Sequence, residues 1–407
     1  MKRFVVILLF CFFALSLFGA SDSSKNFSRD NMDWYFPGEF EEQEAVWLGW
    51  LSTEYVEGFK TDDVLIQIAN ELHKHLKVIV CVPDSQTHQK VEQLLKENNF
   101  DFSMIEFYET PFTMLYWRDY GPIFIKNADS DLAIADFDFT CWGYYEPWDP
   151  QTRLMEKNDR TIAEKMGIPS FMTRVVSEGG DRILNGQGVM ITVEACEFQR
   201  NPNVSREELE KEYKKLLGVE KIIWLKKGSY EDDRYDTSVM PGPGGEGYAF
   251  RSSSANNHAD EFCRFIDENT VLLAEITEEE AMNDPIAYEN KLRMDENYEI
   301  LKNSTDINGN PFNIVRIPMP ETIYFEVTQN DPIFNAIFTN AKYESGIQID
   351  FSKPLQIIPA LSYCNFLISN GVVLGQKYWA PGLNQLKKRM KKLRKYCRNY
   401  FQIEKLQ

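Results

Sequence analysis

The chain has 407 residues, of which 43% are apolar, 14% aromatic and 26% charged, so its composition is that of a globular protein with a packed core. Its formal net charge of −18 argues against a nucleic-acid partner, because nucleic-acid binders present a basic face. Length alone would permit two or three domains, since one domain takes roughly 100–200 residues.

The N-terminus has the pattern of a secretory signal. Two basic residues precede an apolar run from Phe4 to Phe18, and small residues follow up to Ser21. The run is shorter than the roughly 20 residues of a membrane-spanning helix, and no later segment predicts a span. We therefore expect residues 1–21 to be a signal peptide and the protein to be secreted or to enter the secretory pathway. Glycosylation sequons stand at Asn26, Asn203 and Asn303.

The seven cysteines indicate buried thiols more than a disulfide framework. Six remain after Cys11 of the predicted signal, and an even number in a secreted chain permits disulfides. However, Cys81 lies inside an apolar, strand-like run, where a buried free thiol is expected. The sequence contains no Cys-x-x-Cys pair, which excludes a zinc ribbon or a redox motif of that kind.

Helical and strand patterns alternate along the chain. Apolar residues from Leu65 to Leu76 recur at helical spacing and predict a helix from Thr61, followed by a strand over 78–82 and a second helix over about 85–97. Ser205 and Glu208 form a capping box that begins a helix ending at Gly218, before a strand over 222–225. Further helices are predicted over about 277–301 and 383–400, the last one strongly basic. This alternation predicts an α/β fold.

Four segments have the pattern of a strand, a tight polar turn and a second strand. Asn-Gly in two of the turns is a strong hairpin signal, because both residues tolerate a positive φ. The earlier apolar run Val46–Trp50 is a candidate for the start of a fifth unit. The spacing is uneven, so the pattern indicates a weak internal repeat of modules around an axis. The four segments are Pro122–Ala135, Arg182–Thr192, Arg264–Ala274 and Asn365–Leu374.

Each of these hairpins is entered through a polar cluster. In a modular array, equivalent entry points converge, and convergent carboxylates beside a histidine can hold a cation next to an acid–base group. Taken singly, each cluster is better interpreted as a turn or a surface pair. The clusters are Trp117-Arg118-Asp119, Glu178-Gly179-Gly180-Asp181, His258-Ala259-Asp260 and Ser362-Tyr363-Cys364-Asn365.

Three other patterns do not indicate a site. The spacing Gly242-x-Gly244-x-x-Gly247 matches a dinucleotide fingerprint but carries prolines and lacks the flanking strand and helix, so it predicts a loop. His73 and His75 point to different sides of a helix and do not form a metal pair. The basic run 387–398 is interpreted as a solvated helix face.

At the polar clusters the chain resembles the family of agmatine deiminases and bacterial, Porphyromonas-type peptidylarginine deiminases. The resemblance runs from about Trp34 to Tyr400. It implies one deiminase domain over residues 22–407 with the α/β pentein fold, a five-bladed αβ propeller with pseudo-fivefold symmetry. The matching motifs are Glu44-Ala-Val-Trp-Leu48, Trp117-Arg-Asp-Tyr-Gly-Pro122, Trp142-Gly143, Glu178-Gly-Gly180, Arg200-Asn-Pro-Asn203, His258-x-Asp260, Arg264-Phe265, Ile317-Pro-Met-Pro320 and Ser362-Tyr-x-Asn-Phe366.

The resemblance also implies a site and a reaction. Asp119 and Asp260 would hold a planar, positive guanidinium by paired hydrogen bonds, with Trp117 and Asn365 as further substrate-binding residues. His258 would move protons to the departing ammonia and from water, and Glu178 would orient and charge His258. A cysteine thiolate attacks the guanidino carbon, and water resolves the covalent intermediate. No metal and no cofactor is expected.

The sequence departs from the family at the nucleophile. The family's cysteine lies in a Gly-Gly-Gly-x-His-Cys type stretch near the C-terminus, and this sequence contains no such stretch. Cys364 is expected to face away from the site and Cys263 to lie in the core, while Cys397 lies before the expected position. We therefore expect a deiminase truncated at its C-terminus. The alternatives are a non-catalytic pentein that binds arginine-like groups, and an enzyme that uses Cys397.

Two further points concern the approach to the site and the ligand. Asn256 and Asn257 stand where the family usually has a Thr- and Gly-containing approach to the histidine.

The predicted secretory signal favours peptidyl-arginine as the substrate, whereas Trp142-Gly143 favours agmatine. The sequence therefore leaves the guanidinium substrate open between a small molecule and a peptide. A homodimer is compatible with the sequence, which does not decide the oligomeric state.

Overall fold

The fold begins with an all-parallel unit. The computed structural model describes residues 34–51, 61–338, 343 and 347–376. Its first elements are β1 Ala45–Gly49, α1 Thr61–Leu72, β2 Lys77–Val82, α2 Ser85–Glu97 and β3 Ile105–Glu109. The strands pair in the order β1-β2-β3. Helix α1 buries Leu65, Ala69 and Leu72 on one face, and Asp84 begins α2 by accepting a hydrogen bond from the backbone N–H of Thr87.

The next unit is a hairpin followed by two helices and a return strand. Its elements are α3 Trp117–Tyr120, β4 Ile123–Lys126, β5 Leu132–Asp138, α4 Pro150–Met155, α5 Lys157–Met166 and β6 Ser170–Val176. Strands β4 and β5 are antiparallel, and β6 joins β5 in parallel after the helical crossover. The short helix α3 therefore stands at the entrance of the hairpin, where the sequence places Asp119.

The same arrangement recurs in the following segment. Its elements are β7 Ile183–Leu184, β8 Val189–Val193, α6 Glu194–Arg200, α7 Arg206–Leu217 and β9 Lys221–Leu225. Strand β7 is antiparallel to β8, and β9 is parallel to it. The predicted capping box of Ser205 and Glu208 begins α7, and Gly218 ends it with a φ of 65°.

A third copy of the arrangement forms a three-stranded sheet, whose strands lie in the sequence between those of a separate four-stranded sheet. The elements in chain order are β10 Met240–Pro241, β11 Tyr248–Arg251, β12 Cys263–Phe265, β13 Thr270–Glu275, α8 Glu278–Asn283, α9 Pro285–Lys302 and β14 Asn313–Pro318. Strand β12 is antiparallel to β13, and β14 is parallel to β13. Strands β10 and β11 are antiparallel to each other, and the glycine-rich segment 242–247 is the turn between them. This agrees with its interpretation as a loop.

The prediction of one helix over about 277–301 is wrong, because two helices occupy this range. Asp284 separates α8 from α9 with extended backbone angles, φ −145° and ψ 119°. Its side chain accepts a hydrogen bond from the backbone N–H of Ile286, and Pro285 takes the first position of α9. A residue before proline is pushed out of the helical region, so the break follows from the Asp-Pro pair.

The described part of the chain ends with four more strands and one helix. They are β15 Phe325–Val327, α10 Pro332–Phe338, β16 Leu355–Ile358, β17 Leu367–Ser369 and β18 Val372–Leu374. The four-stranded sheet has the order β10-β11-β16-β15, and β17 and β18 form an antiparallel hairpin. Val372 of this hairpin belongs to the same apolar core as Leu65 and Val78 of the first unit. The end of the described chain therefore packs against its beginning.

All four predicted hairpins are present, and the predicted mixed α/β fold is confirmed. The segment Val46–Trp50 begins a unit of a different kind, because β1 pairs in parallel with β2 and not with a neighbouring hairpin strand. The predicted signal at residues 1–21 and the basic helix over 383–400 lie outside the described residues.

The cysteines in the described ranges are buried and free. They are Cys81, Cys141, Cys196, Cys263 and Cys364. The prediction of buried free thiols is confirmed for these five residues, of which Cys81 and Cys263 lie in strands. Among the helices of the described ranges, none has the length and apolar character needed to cross a membrane.

Candidate active site

A cavity of about 530 Å³ lies where the entrances of the hairpins meet. Four of the residues predicted for the site line it: Asp119, His258, Asp260 and Asn365. Its wall is largely aromatic and polar. These wall residues include Tyr116, Arg118, Trp142, Tyr144, Asp232, Tyr235, Ser254 and Glu261. Three of the four clusters that the sequence placed at separate hairpins therefore line one space, and Glu178 of the fourth contacts His258 without lining it.

His258 and Glu178 form a buried charged pair at this cavity. The imidazole Nε2 lies 3.1 Å from Oε2 of Glu178, and both side chains are fully buried. Burial alone lowers the pKa of His258, yet Asp119, Glu178 and Asp260 together raise this pKa to about 10. Burial raises the pKa of Glu178, but Arg200 and His258 lower it to about 2. At neutral pH the pair is therefore an imidazolium and a carboxylate.

Asp119 is held by two donors beside the histidine. The indole Nε1 of Trp142 donates to Oδ2 of Asp119 at 2.9 Å, and the backbone N–H of Gly180 donates to Oδ1 at 3.1 Å. Oδ1 also lies 3.7 Å from Nδ1 of His258. Burial raises the pKa of Asp119, while the charge of His258 and the indole N–H oppose that rise. The carboxylate is thus fixed in orientation at the cavity wall.

Asp260 offers a carboxylate oxygen to the cavity. Nε of Arg118 lies 2.8 Å from Oδ2 of Asp260, an ion pair in which the N–H does not point at the oxygen. Oδ1 of Asp260 is buried and has no hydrogen-bond partner among the described residues. A buried carboxylate oxygen without a donor is costly, so this atom fits an incoming N–H group.

The contact between His258 and Asp119 requires a glycine at position 180. A Cβ atom built there would lie 2.3 Å from Nδ1 of His258 and 2.8 Å from Oδ1 of Asp119. Both distances are shorter than van der Waals contact. The Glu-Gly-Gly motif therefore gives the backbone room to approach the two site residues.

Arg118 is neutralised by partners on both sides. Besides Asp260, it binds Glu39, and Glu39 also binds Arg264. Arg264 in turn donates to the carbonyl oxygen of Phe366 at 2.9 Å. Burial raises the pKa of Glu39, but the two arginines lower it to about 2. This chain of charges connects the hairpin entrances through a residue, Glu39, that the sequence analysis did not single out.

Asn365 and Trp117 differ in their placement. The amide Nδ2 of Asn365 donates to Oε1 of Glu261 at 2.9 Å, and both residues line the cavity. Trp117 packs in an apolar core cluster with Tyr120 at a ring distance of 5.2 Å and does not line the cavity. The structure therefore brings Asn365 to the site but places Trp117 in the interior, and Trp142 supplies an indole at the cavity instead.

The five described cysteines carry thiols and not thiolates at neutral pH. Burial raises the pKa of Cys141 to about 11 and that of Cys263 to about 12. It also raises the pKa of Cys81, Cys196 and Cys364 well above the ordinary range. Cys364 lies in an apolar cluster, as its predicted orientation away from the site requires. Cys397 lies outside the described residues.

One group of side chains has donor atoms close enough together to suggest a metal. In the described ranges, Glu178, Cys196 and His258 place one ligand atom each within 4.8 Å of one another. However, Nε of Arg200 lies 3.0 and 2.9 Å from the two oxygens of Glu178. A guanidinium already balances this carboxylate, so the donor set does not suit a metal cation.

Several residues that hold the site were not predicted from the sequence. Arg200 stood in a recognised motif but received no role, and Asp232 carried no motif at all. Their contacts join positions more than 20 residues apart, as with the backbone N–H of His258 and Oδ2 of Asp232 at 2.9 Å. The one available signal was the motif Arg200-Asn-Pro-Asn203.

Comparisons with known proteins show which family the chain is similar to. The chain matches the family model of the Porphyromonas-type peptidyl-arginine deiminases over residues 35–239 and 246–399. It is 29% identical over 373 residues to the agmatine deiminase of Medicago truncatula, covering 85% of each chain. It is 25% identical over 358 residues to the agmatine deiminase of Pseudomonas fluorescens, covering 85% of this chain and 84% of the relative.

Solved structures show the same fold. The agmatine deiminase of Enterococcus faecalis superposes with a TM-score of 0.64 at 23% identity, covering 89% of this chain and 88% of that one. The C. jejuni agmatine deiminase gives a TM-score of 0.59 at 20% identity, covering 90% of this chain and 88% of that one. With a family model that spans most of its length, the chain belongs to the Porphyromonas-type peptidyl-arginine deiminase family.

Proposed function

We propose that the cavity binds the guanidinium group of an agmatine-type substrate and that the chain is a guanidino-group deiminase. The observation that carries the proposal is the pair of carboxylates, Asp119 and Asp260, on the wall of one cavity beside His258. A guanidinium is planar and presents N–H groups in pairs, which suits two carboxylates, one of them with a free buried oxygen.

The roles of the residues follow from their charges. Asp119 and Asp260 would bind the guanidinium nitrogens, and His258, protonated at neutral pH, would give its proton to the departing ammonia. Attack of a thiolate on the guanidino carbon would form a covalent amidino intermediate. His258 would then take a proton from water, whose hydroxyl group would replace the sulfur and give the ureido product. Glu178 would orient His258 throughout and favour its protonated form before and after these transfers.

The charge on the cavity wall favours agmatine over free arginine or a peptide's C-terminal arginine. Both sides of Arg118 are engaged by acidic groups, Glu39 and Asp260, so this cation is not available to a substrate carboxylate. Among the described residues no other Lys or Arg lines the wall, and its carboxyl side chains are those of Asp119, Asp232, Asp260 and Glu261. The curated relatives named above are agmatine deiminases, which supports the same choice.

A second candidate function is guanidinium binding without turnover. The observation that favours it is the raised pKa of every cysteine in the described ranges, because a protonated thiol is a poor nucleophile. In this case the same carboxylates would bind the cation, and no thiolate would attack it. Cys397, which the structure does not describe, is the remaining nucleophile to test in this chain.

We also propose that the repeated units close into a five-bladed propeller around the cavity. Three units share the hairpin, helix and return-strand arrangement, and the β17–β18 hairpin packs on the core of the first unit. Such closure would bring the hairpin entrances to one axis. It would explain why polar clusters from different units converge on one cavity.

Turnover assays separate the two functions. Purified chain is incubated with agmatine, arginine or a peptide with a C-terminal arginine, and ammonia and the ureido product are quantified. The deiminase proposal expects N-carbamoylputrescine from agmatine and less product from the two carboxylate-bearing substrates. Loss of activity in a Cys397→Ala variant would assign the nucleophile. Binding of agmatine with no product at any enzyme concentration would support the second function and overturn the first.

A further inference from the structure

We propose that Arg200 and Asp232 are positioning residues that hold His258 in place by clamping the backbone turn from Ala255 to His258 from two sides. The inference rests on the proposed function, because His258 is the proton-transferring group whose position is at stake. Neither residue needs to touch the substrate's reacting atoms in this role. Each acts through the turn, and Arg200 acts through Glu178 as well.

Arg200 holds the carbonyl side of the turn. Its Nη2 donates to the carbonyl oxygen of Ala255 at 2.7 Å, and its Nη1 lies 3.4 Å from the carbonyl oxygen of Asn256. Its Nε lies at 2.9 and 3.0 Å from the carboxylate of Glu178, the partner of His258. The Arg200 side chain has no solvent exposure. One guanidinium therefore fixes both the residue that orients His258 and the backbone that leads to it.

Asp232 holds the amide side of the same turn. Its Oδ1 accepts from the backbone N–H of Ala255 at 2.6 Å and of Asn256 at 3.2 Å. Its Oδ2 accepts from the backbone N–H of His258 at 2.9 Å. The carboxylate thus uses both oxygens on three backbone donors of one turn. This leaves the turn little freedom to rotate.

The turn needs such support because its backbone is unusual. Asn256 and Asn257 both have positive φ values, 66° and 76°. Asparagine tolerates this region better than other residues with a Cβ, but two in succession still store conformational strain. The side chains add two bonds, from Nδ2 of Asn256 to the carbonyl oxygen of Trp142 at 3.2 Å and from the N–H of Gly228 to Oδ1 of Asn257 at 2.9 Å. The two asparagines therefore depend on the clamp.

The position of His258 can be measured without substrate. The chain has four histidines, so selective nitrogen labelling gives a small set of imidazole signals, and a His258→Gln variant assigns one of them. In the native chain the Nε2 proton of His258 is expected to exchange slowly with water, because it is buried and bonded to Glu178. If Arg200 and Asp232 merely stabilised the fold, replacing them would lower the melting temperature but leave this proton protected.

The experiment compares Arg200→Gln, Arg200→Lys and Asp232→Asn with the native chain. We expect each variant that stays folded by circular dichroism to lose protection of the His258 proton and to bind agmatine about tenfold or more weakly. Arg200→Lys retains a charge for Glu178 but not the fork that also reaches the turn, so its loss should be smaller than that of Arg200→Gln. Arg264→Gln is the matched control, because Arg264 is also fully buried and binds a carboxylate and two carbonyl oxygens, those of Glu39, Cys364 and Phe366, but not the turn, Glu178 or Asp232.

The outcomes separate the clamp from the proposed function. Folded Arg200→Gln and Asp232→Asn variants that keep the His258 proton protected would overturn the clamp, whatever their agmatine affinity. Equal loss of protection in Arg264→Gln would also overturn it, because the effect would then be general loosening. If native chain does not bind agmatine but the Arg200 and Asp232 variants still lose protection, the clamp stands and the proposed function fails.

Discussion

Nε2 of His258 lies 3.1 Å from Oε2 of Glu178, although the two residues are 80 positions apart in the sequence. Glu178 also binds Arg200, so a buried carboxylate lies between two cations. Such an arrangement is stable only while all partners are present, because an unpaired buried charge is costly. The predictions below follow from the charges and the space around this pair.

Replacing Glu178 by glutamine should destabilise the fold. The Glu178→Gln variant leaves the buried Arg200 guanidinium without its carboxylate, at a cost of about 3–5 kcal/mol in the free energy of unfolding. Urea denaturation measures this value. The control is Glu194→Gln, which removes a partly exposed carboxylate paired with Arg206 and Lys226 and should cost about 1 kcal/mol or less. Equal costs for the two variants would contradict the buried network.

Stability should depend on pH through His258. Its pKa is raised from 6.5 to about 10 in the folded state, so its contribution to stability is complete below about pH 6.5 and is lost as the pH rises through 10. The difference in unfolding free energy between native chain and His258→Gln should therefore shrink between pH 6.5 and 10. A difference that stays constant or grows over this range would show that His258 is not charged in the fold.

For Glu178 the dependence of stability on pH has the opposite sign, and it is expected in acid. Its pKa is lowered from 4.5 to about 2, so its contribution to stability is complete above about pH 4.5 and is lost as the pH falls through 2. Native chain should lose more stability than Glu178→Gln between pH 4.5 and 2.5. Parallel curves for the two proteins in this window would refute the pairing.

A side chain at position 180 should separate His258 from Asp119. In Gly180→Ala the added methyl group meets both side chains at less than van der Waals distance, so one or both must move. We expect a loss of about 1–3 kcal/mol in stability and a clear loss of agmatine binding, measured by denaturation and calorimetry. Gly375→Ala is the control, because no atom of the described residues lies within 4 Å of its added Cβ, and it should change neither quantity. Normal agmatine binding by Gly180→Ala would mean that the two side chains do not act together.

Glu39 should influence which guanidinium compounds bind. In Glu39→Gln, Arg118 loses one of its two acidic partners and becomes available to a ligand carboxylate. The ratio of agmatine affinity to arginine affinity should therefore fall, mainly because arginine binds more tightly. Competition experiments with both ligands measure this ratio. An unchanged ratio would mean that Arg118 does not govern discrimination against carboxylates.

Local features of the fold could be predicted because their signals are short in range. The Asn-Gly turn of β17–β18, the capping box at Ser205 and the helical stripe from Leu65 each lie within a few residues of sequence. The break at Asp284 was missed although Asp-Pro is a local signal, because the apolar spacing on both sides suggested one helix. Periodicity alone does not reveal such a break.

The site was predictable only in part. The motifs gave Asp119, Glu178, His258, Asp260 and Asn365, but a motif does not state which way a side chain points, and Trp117 turned into the core. Glu39 and Asp232 were missed because their partners lie at least 23 positions away in the chain. Which carboxylate meets which arginine is decided by tertiary packing. No local pattern carries that information.

The central claim is that the cavity recognises a guanidinium group through Asp119 and Asp260. Calorimetric titration of the purified chain with agmatine and with putrescine, which has an amine in place of the guanidinium, tests it without requiring turnover. The account predicts one agmatine per chain, putrescine affinity at least about tenfold weaker, and loss of this preference in Asp260→Asn. Equal binding of the two ligands, or an unchanged preference in Asp260→Asn, would contradict it.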